Sequence, residues 1–277
     1  MTDATDLPLF ALQRRVQSPA PVEAVPTGFP SLDRLLGGGL RPGDLTVLTG
    51  DAASGKSSLA LAVALRAAQH EHPAHFLSGE MTPARVLERA LAIEGRVSVD
   101  QLRRGALDDD IRLSLGGPLR ELTVRAPLLE SLPATVEGLA NAVRRTGETR
   151  LVVVDPIAAL CPGRRARDEE LATLVRELKQ LALETHTAVL VTLPLGNVSG
   201  RPDPRPTLAD TGALGAARHD ADVVLALFRE EMYAQARGIE GATELHVLKN
   251  RNGGTGYVDL FFYATCMRFE DMVDPDR

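Results

Sequence analysis

The sequence has no tryptophan, only 4% aromatic residues and just two cysteines in 277 positions. With so few rings, a core has to be built from Leu, Val and Ala. Any contact to a nucleic acid would go to phosphates rather than to stacked bases. Two cysteines, Cys161 and Cys266, cannot form a disulfide scaffold and fit a reducing cytoplasm. No apolar run approaches the ~18 residues that a membrane-spanning helix needs. The first residues, MTDATDLPLF, are acidic and lack the charged-then-apolar order of a secretion signal. A cytoplasmic protein with no membrane contact is expected. Positive charge is not in excess either. The formal net charge of −6 excludes a generally basic nucleic-acid coat but leaves room for a local basic channel. The 44% apolar and 25% charged fractions are those of an ordinary globular chain.

What the sequence does contain is a phosphate-binding loop. Gly50-Asp51-Ala52-Ala53-Ser54-Gly55-Lys56-Ser57 reads G-x-x-x-x-G-K-S. The two glycines allow backbone angles that a side chain would forbid. The freed N–H groups then converge on phosphate oxygens. Lys56 supplies a point charge for the β- and γ-phosphates, and the Ser57 hydroxyl can ligate Mg²⁺. The apolar run Leu45–Thr49 precedes the loop and the Ala/Leu-rich stretch Ser57–Gln69 follows it. That is the strand–loop–helix order the motif needs, because the helix N-terminus also attracts anions. Gly50, Ala53, Ser54, Gly55, Lys56, Ser57 and Ser58 are therefore the candidate triphosphate contacts, with ATP and Mg²⁺ as expected cofactors.

Residues 1–26 read as an N-terminal extension. Leu9, Leu12 and Val16 fall at helical spacing, and Ser18–Pro26 is a Pro-rich linker. Residues 27–277 read as one ATPase domain. Within it, strand and helix patterns alternate, which predicts an α/β fold with a mostly parallel sheet flanked by helices. Strands are expected at Leu45–Thr49, His75–Ser78, Thr123–Ala126, Leu151–Asp155, Ala188–Leu193 and Val223–Phe228. Helices are expected at Ser57–Gln69, Pro83–Ile93, Thr135–Arg145 and Glu169–Glu184, with Thr82 capping the second. Glu244–Lys249 and Val258–Tyr263, joined by the turn Asn250–Gly254, predict a C-terminal antiparallel β-hairpin at the sheet edge.

Several polar residues stand out. Asp155 ends the apolar strand Leu151–Asp155, the position of an Mg²⁺-holding carboxylate in phosphate-loop enzymes. Glu80 follows the strand His75–Ser78; it could polarise an attacking water, or simply be a solvated residue opening a helix. Lys249 and Arg251, one residue apart at the hairpin tip, could project together as an arginine finger needs, or belong to a plain polar turn. Two basic loops, one with Arg164 and Arg165 and one with Arg201 and Arg205, should lie at the carboxyl end of the sheet, where ligands bind in open α/β folds. His70, His72 and His75 have metal-like spacing but no completing ligand, and read as ordinary histidines. Asp108-Asp109-Asp110 reads as a helix start.

Thr27–Glu270 resembles the ATPase domain of DnaB-type replicative helicases, within the RecA-like superfamily. The opening TGFPSLDRLLGGGLRPGDLTVLTG is similar to RecA, RadA and KaiC-like ATPases. FLSGEM at 76–81, HDADVVLALFREEMY at 219–233 and LKNRNGGTGYVDLFF at 248–262 point to DnaB more narrowly. The resemblance implies that Glu80 is the catalytic glutamate. It further implies that Lys249 and Arg251 reach a neighbouring subunit's ATP, in a homo-oligomer, a hexameric ring, with single-stranded DNA in its channel. Two departures bear on DNA coupling. Pro194 stands where the family has a γ-phosphate-sensing Gln, and proline has neither an amide donor nor a polar side chain. In Asp210-Thr211-Gly212-Ala213-Leu214-Gly215 the family's Asp-Leu-Arg-Glu-Ser-Gly segment keeps Asp210 and Gly215 and loses its Arg and Glu. The expected function is an oligomeric, ATP-hydrolysing motor of helicase type; the alternatives are a non-unwinding assembly or loading factor and a KaiC-like regulatory ATPase.

Overall fold

Proline and aspartate set the first helix. In this computed structural model, which describes residues 23–161, 168–196, 198, 200–233 and 238–272, helix α1 (Pro30–Leu36) starts on Pro30 and stops at Gly37, which takes a left-handed φ of 73°. Asp33 accepts hydrogen bonds from the Thr27 N–H and hydroxyl at 2.8 and 2.7 Å, tying the entry turn to the helix. Val25 is fully buried and bridges Leu40, so the packing reaches back to that residue. Residues 1–22, most of the expected extension, lie outside the described residues.

Strand and helix then alternate: β1 (Leu45–Gly50), α2 (Lys56–Gln69), β2 (Ala74–Ser78) and α3 (Pro83–Gly95). The Thr82 hydroxyl caps α3 by accepting from the Arg85 N–H at 3.4 Å, with Pro83 in the first turn. Three short helices follow, α4 (Val99–Arg104), α5 (Asp109–Ser114) and α6 (Gly116–Arg125), before β3 (Leu128–Ser131). The expected start at Asp108 is correct: its carboxylate accepts from the Ile111 N–H at 2.8 Å. The strand expected at Thr123–Ala126 is not formed. Thr123 is helical there, its hydroxyl donating back to the Leu119 carbonyl at 2.7 Å. Pro127 ends the helix, because the residue before a proline avoids helical angles, and the strand begins just beyond it.

The chain continues as α7 (Val136–Thr146), β4 (Leu151–Asp155), α8 (Asp168–Thr185), β5 (Ala188–Pro194), α9 (Ala216–Asp220), β6 (Val223–Phe228), β7 (Ala242–Asn250), β8 (Gly256–Tyr263) and β9 (Arg268–Asp271). The nine strands form one sheet in the order β3-β2-β4-β5-β1-β6-β7-β8-β9. The first six run parallel, and β7 to β9 run antiparallel to their neighbours. The hairpin is as expected, but β9 lies outside it and forms the edge. Alternate strand residues feed two cores. Leu151 and Val153 of β4 face the layer of α2, while Val152 and Val154 face α7 and α8. Strands covered on both faces read as unbroken apolar runs. Each fully buried Val contributes about 1.5–3 kcal/mol relative to exposure.

Cys161 and Cys266 are both free and buried. No described helix is long and apolar enough to cross a membrane, and no described His, Cys, Asp and Glu cluster could hold a metal by itself. His75 instead lies wholly buried, with Nε2 3.1 Å from Glu130.

Candidate functional site

The parallel register brings the carboxyl ends of β1, β2, β4 and β5 together. Gly50 pairs with Pro194, and Ser78 pairs with Asp155. The phosphate loop leaves β1 at Gly50. A Cβ there would sit 2.7 Å from Ser54 Oγ and 3.2 Å from the Leu227 carbonyl oxygen, so a side chain at this position would have to displace Ser54. Gly55 has φ 104°, and a Cβ on it would meet the Phe269 ring at 2.8 Å. Gly55 is also the N-cap of α2, with no side chain capping the helix. In contrast, α3, α5 and α7 are capped by Thr82, Asp108 and Thr135. The first N–H groups of α2 therefore point at the loop without side-chain acceptors, the arrangement that receives an anion. The Ser54 hydroxyl oxygen is buried without a partner in the same cradle.

Lys56 bends over the loop and donates to the carbonyls of Gly50 and Asp51 at 2.9 and 2.8 Å. Burial pushes its ammonium below the ordinary lysine value, and Asp155, Asp51 and Glu80 oppose that shift. Asp155 is buried at the end of β4. One carboxylate oxygen accepts from Ser57 at 3.0 Å and from Thr192 of β5 at 2.5 Å. Ser57 and Asp155 thus present the all-oxygen donor pair that a hard divalent cation prefers. Glu80 is exposed just past β2 and has no hydrogen bond or ion pair among the described residues. Such a free carboxylate beside a phosphate cradle can accept a proton from water.

A cleft of about 460 Å³ opens at the loop, lined by Ala53, Gly55, Lys56, Ser57 and Ser58. Its other wall holds residues that sequence reasoning missed. Arg89 of α3 faces it, with no ion pair among the described residues. Burial lowers its guanidinium from the usual value, while Asp155 pulls it back up. Arg229, just after β6, donates to the Ala53 carbonyl at 3.3 Å and lies 4.6 Å over the Phe262 ring. Arg89 follows Val86 by one turn and borders the buried face of α3; its sequence neighbourhood, with Arg85 one turn earlier, does not set it apart from a solvated helix cation.

Lys249 and Arg251 do not approach this cleft. β7 runs antiparallel to β6, so Lys249 pairs with Val224 and the Arg251 N–H reaches the Asp222 carbonyl. Gly50 pairs with Leu227, further along β6 than Val224 and Asp222. The five steps from Asp222 to Leu227 span about 16 Å at ~3.3 Å per residue. Both cations turn toward the junction of α9 and β6. Lys249 Nζ donates to the carbonyls of Arg218, at 2.7 Å, His219 and Ala221. Arg251 pairs with Asp222 at 3.1 Å and donates to the His219 carbonyl at 2.6 Å.

Of the expected nucleic-acid residues, Arg164 and Arg165 lie outside the described residues. Arg201 and Arg205 are engaged within the chain. Arg201 holds both oxygens of Asp210 at 3.1 and 3.0 Å, and Arg205 makes a bidentate pair with Glu244 at 2.7–3.2 Å. Gly215 takes φ 78° as the N-cap of α9.

Comparison with known proteins fits this geometry. The family described as DnaB-like helicase C terminal domain matches residues 24–271. Replicative DNA helicase DnaB of Leifsonia xyli is 29% identical over 280 residues, covering 98% of this chain and 61% of that protein. Its counterpart in Pasteurella multocida is 30% identical over 264 residues, covering 91% and 56%. The chain thus spans a little over half the length of these relatives. A solved DnaB-like replicative helicase, described with its interactions with primase, superposes with a TM-score of 0.89 at 22% identity, over 97% of this chain and 68% of that one. A solved isolated ATPase domain gives 0.88 at 22% identity, over 99% and 100%. These two establish the RecA-like architecture. Because the family match runs from the bridge at Val25 through the phosphate loop, Asp155 and the hairpin to β9, the chain belongs to the DnaB-like helicase C-terminal domain family.

Proposed function

We propose that this chain binds ATP with Mg²⁺ and hydrolyses it in a ring-shaped homo-oligomer, as a motor domain that acts on single-stranded DNA. Gly50, Ala53, Ser54, Gly55, Lys56, Ser57 and Ser58 would hold the triphosphate, and Ser57 with Asp155 would hold the metal. Bound Mg²⁺ would neutralise charge on the phosphate oxygens. Glu80 orients water for attack on the γ-phosphorus and accepts its proton as the bond to the leaving ADP oxygen breaks. Arg89, which lines the same cleft from α3, would contact the same phosphate.

The observation that carries this reading is the separation of charges across the sheet. Glu80, Asp155 and the phosphate loop share its carboxyl end, whereas Lys249 and Arg251 sit at the other end of β6. Those two cations can meet only a triphosphate that belongs to another copy. The test is complementation in mixed oligomers. Arg251→Ala should bind a nucleotide normally and lose turnover, by about 10³-fold or more if it acts as a trans finger. Lys56→Ala should lose nucleotide binding. Mixing the two inactive variants should restore part of the turnover, because Lys56→Ala subunits still offer Arg251 to intact neighbouring sites. A mixture as inactive as its components would sink the shared-site reading.

A second reading, a nucleotide-dependent factor that does not unwind DNA, is favoured by particular residues. Pro194 leaves the tip of β5 without a polar side chain, the 211–214 segment is uncharged, and Arg201 and Arg205 are engaged in ion pairs. ATPase activity indifferent to added oligonucleotide, with no strand displacement, would select it over the helicase.

A further inference from the structure

The phosphate loop carries a negative charge of its own. Asp51 directly follows Gly50, and like charges within a few ångström of each other in a partly buried site repel strongly. Its carboxylate is held by two donors. Oδ1 accepts from the Ala52 N–H at 2.7 Å, and Oδ2 accepts from the Tyr233 phenol at 3.0 Å. Burial and the Asp51 carboxylate push the Tyr233 hydroxyl up to about 12, so it remains a donor throughout the neutral range. Tyr233 lies on the segment leaving β6 and stacks on Phe228, with centroids 5.3 Å and planes 14° apart. The Arg205 guanidinium lies 5.2 Å over the Phe228 ring while gripping Glu244 of β7. Asp51, Tyr233, Phe228 and Arg205 therefore form one unbroken column from the phosphate loop to the 200–205 segment. A cleft of about 550 Å³ lies between that segment and the 228–233 stretch, lined by Phe228 and Tyr233 of the column. Pro194 gives the tip of β5 no polar side chain with which to make this link.

We propose that Tyr233 is a positioning residue of the nucleotide site: it holds Asp51 aside from the incoming triphosphate, and the Phe228–Arg205 stack makes that hold depend on the seating of the 200–205 segment. This inference rests on the loop being an ATP site, as proposed above.

A thermodynamic cycle tests it, since only a measured coupling shows that two sites communicate. A fluorescent non-hydrolysable ATP analogue is titrated into the full chain, and thermal melting checks that each variant is folded. Tyr233→Phe, which keeps the ring, should weaken binding by about tenfold, the lower end for losing a hydrogen bond to a charged group. In an Asp51→Asn background the same change should have no effect, because the charge to be restrained is gone. Arg205→Gln touches no residue of the nucleotide cleft. It should nevertheless weaken binding by about two- to fivefold alone and add nothing to Tyr233→Phe. Phe228→Leu replaces Arg205→Gln if the latter does not fold. The proposal is overturned if Tyr233→Phe binds like the wild type, still weakens binding beside Asp51→Asn, or multiplies with Arg205→Gln. A wild-type chain that fails to bind the analogue would instead refute the ATP reading itself.

Discussion

Asp222 is the residue whose removal should be most widely felt. It lies between α9 and β6 with 4% of its surface exposed. One carboxylate oxygen accepts from the Leu45 N–H at 2.9 Å and from Lys179 at 2.7 Å; the other faces Arg251 at 3.1 Å. Asp222→Ala strips all three donors of their acceptor. Arg251, half exposed, can turn to water, so its loss costs little stability. Lys179 and the Leu45 amide cannot. Breaking a buried pair by deleting one partner costs about 3–5 kcal/mol. Lys179 keeps the Gly43 carbonyl at 2.7 Å, which places the expected loss near the lower end, about 3 kcal/mol. At about 2–4 °C per kcal/mol for a chain of this size, Tm should fall by roughly 6–12 °C. Circular dichroism melts at low and high salt provide the assay. Burial shields the pair, so the deficit should persist at high ionic strength. A fall of less than about 2 °C would mean that these donors find other acceptors, and that the network is not what joins β1, α8 and β6.

Two smaller perturbations address other buried polar contacts. His75 is fully buried, and burial holds its imidazole below the usual histidine value, with Glu130 opposing. The unfolded chain then binds the proton more readily. The stabilisation is fully present above the unfolded value of about 6.5 and is lost as pH falls through and below it. Melts at about pH 7.5 and about pH 5.5, either side of that value, should differ more for the wild type than for His75→Leu; equal differences would refute the assignment. Thr192→Val removes the 2.5 Å hydrogen bond to Asp155, which should cost about 2 kcal/mol and lower Tm by about 4–8 °C. Thr192→Ser should recover most of this, and a Ser variant as unstable as Val would show that the methyl contact matters and the hydroxyl does not.

The parts of the site that could be read from sequence are those whose chemistry is local. Gly50, Gly55, Lys56 and Ser57 lie within eight consecutive positions, and their spacing alone fixes a backbone cradle at a helix start. Asp155 needed only an apolar run ending in a carboxylate. The strand misplaced at Thr123–Ala126 shows where local propensity fails: Leu122-Thr123-Val124 is β-branched enough to suggest a strand, yet α6 runs through it until Pro127 intervenes. Arg89, Arg229 and Thr192 were invisible for another reason. Each joins the cleft or its aspartate by tertiary approach from a different element, and nothing within a few residues of any of them marks the destination.

The basic loops expose the same limit from the opposite side. A sequence shows cations and not the groups that neutralise them. Arg201 and Arg205 stand in a polar, Pro-rich stretch that looks free to grip phosphates, but their carboxylates are supplied by Asp210, nine residues beyond Arg201, and by Glu244 of β7. Burial resists ionisation of Glu244, and the bonds from Arg205 and His246 overcome it, holding its carboxyl below the ordinary range. Freeing Arg205 for a phosphate would therefore leave a charged Glu244 without its strongest partner, and an incoming polyanion has to compensate for that loss as well as for its own desolvation. Lys249 and Arg251 face the same competition at the α9–β6 junction, where carbonyls and Asp222 already satisfy them. If a neighbouring copy presents its triphosphate there, as proposed above, it would have to outcompete those contacts, so these cations are better placed to exchange partners than to act as free charges awaiting one.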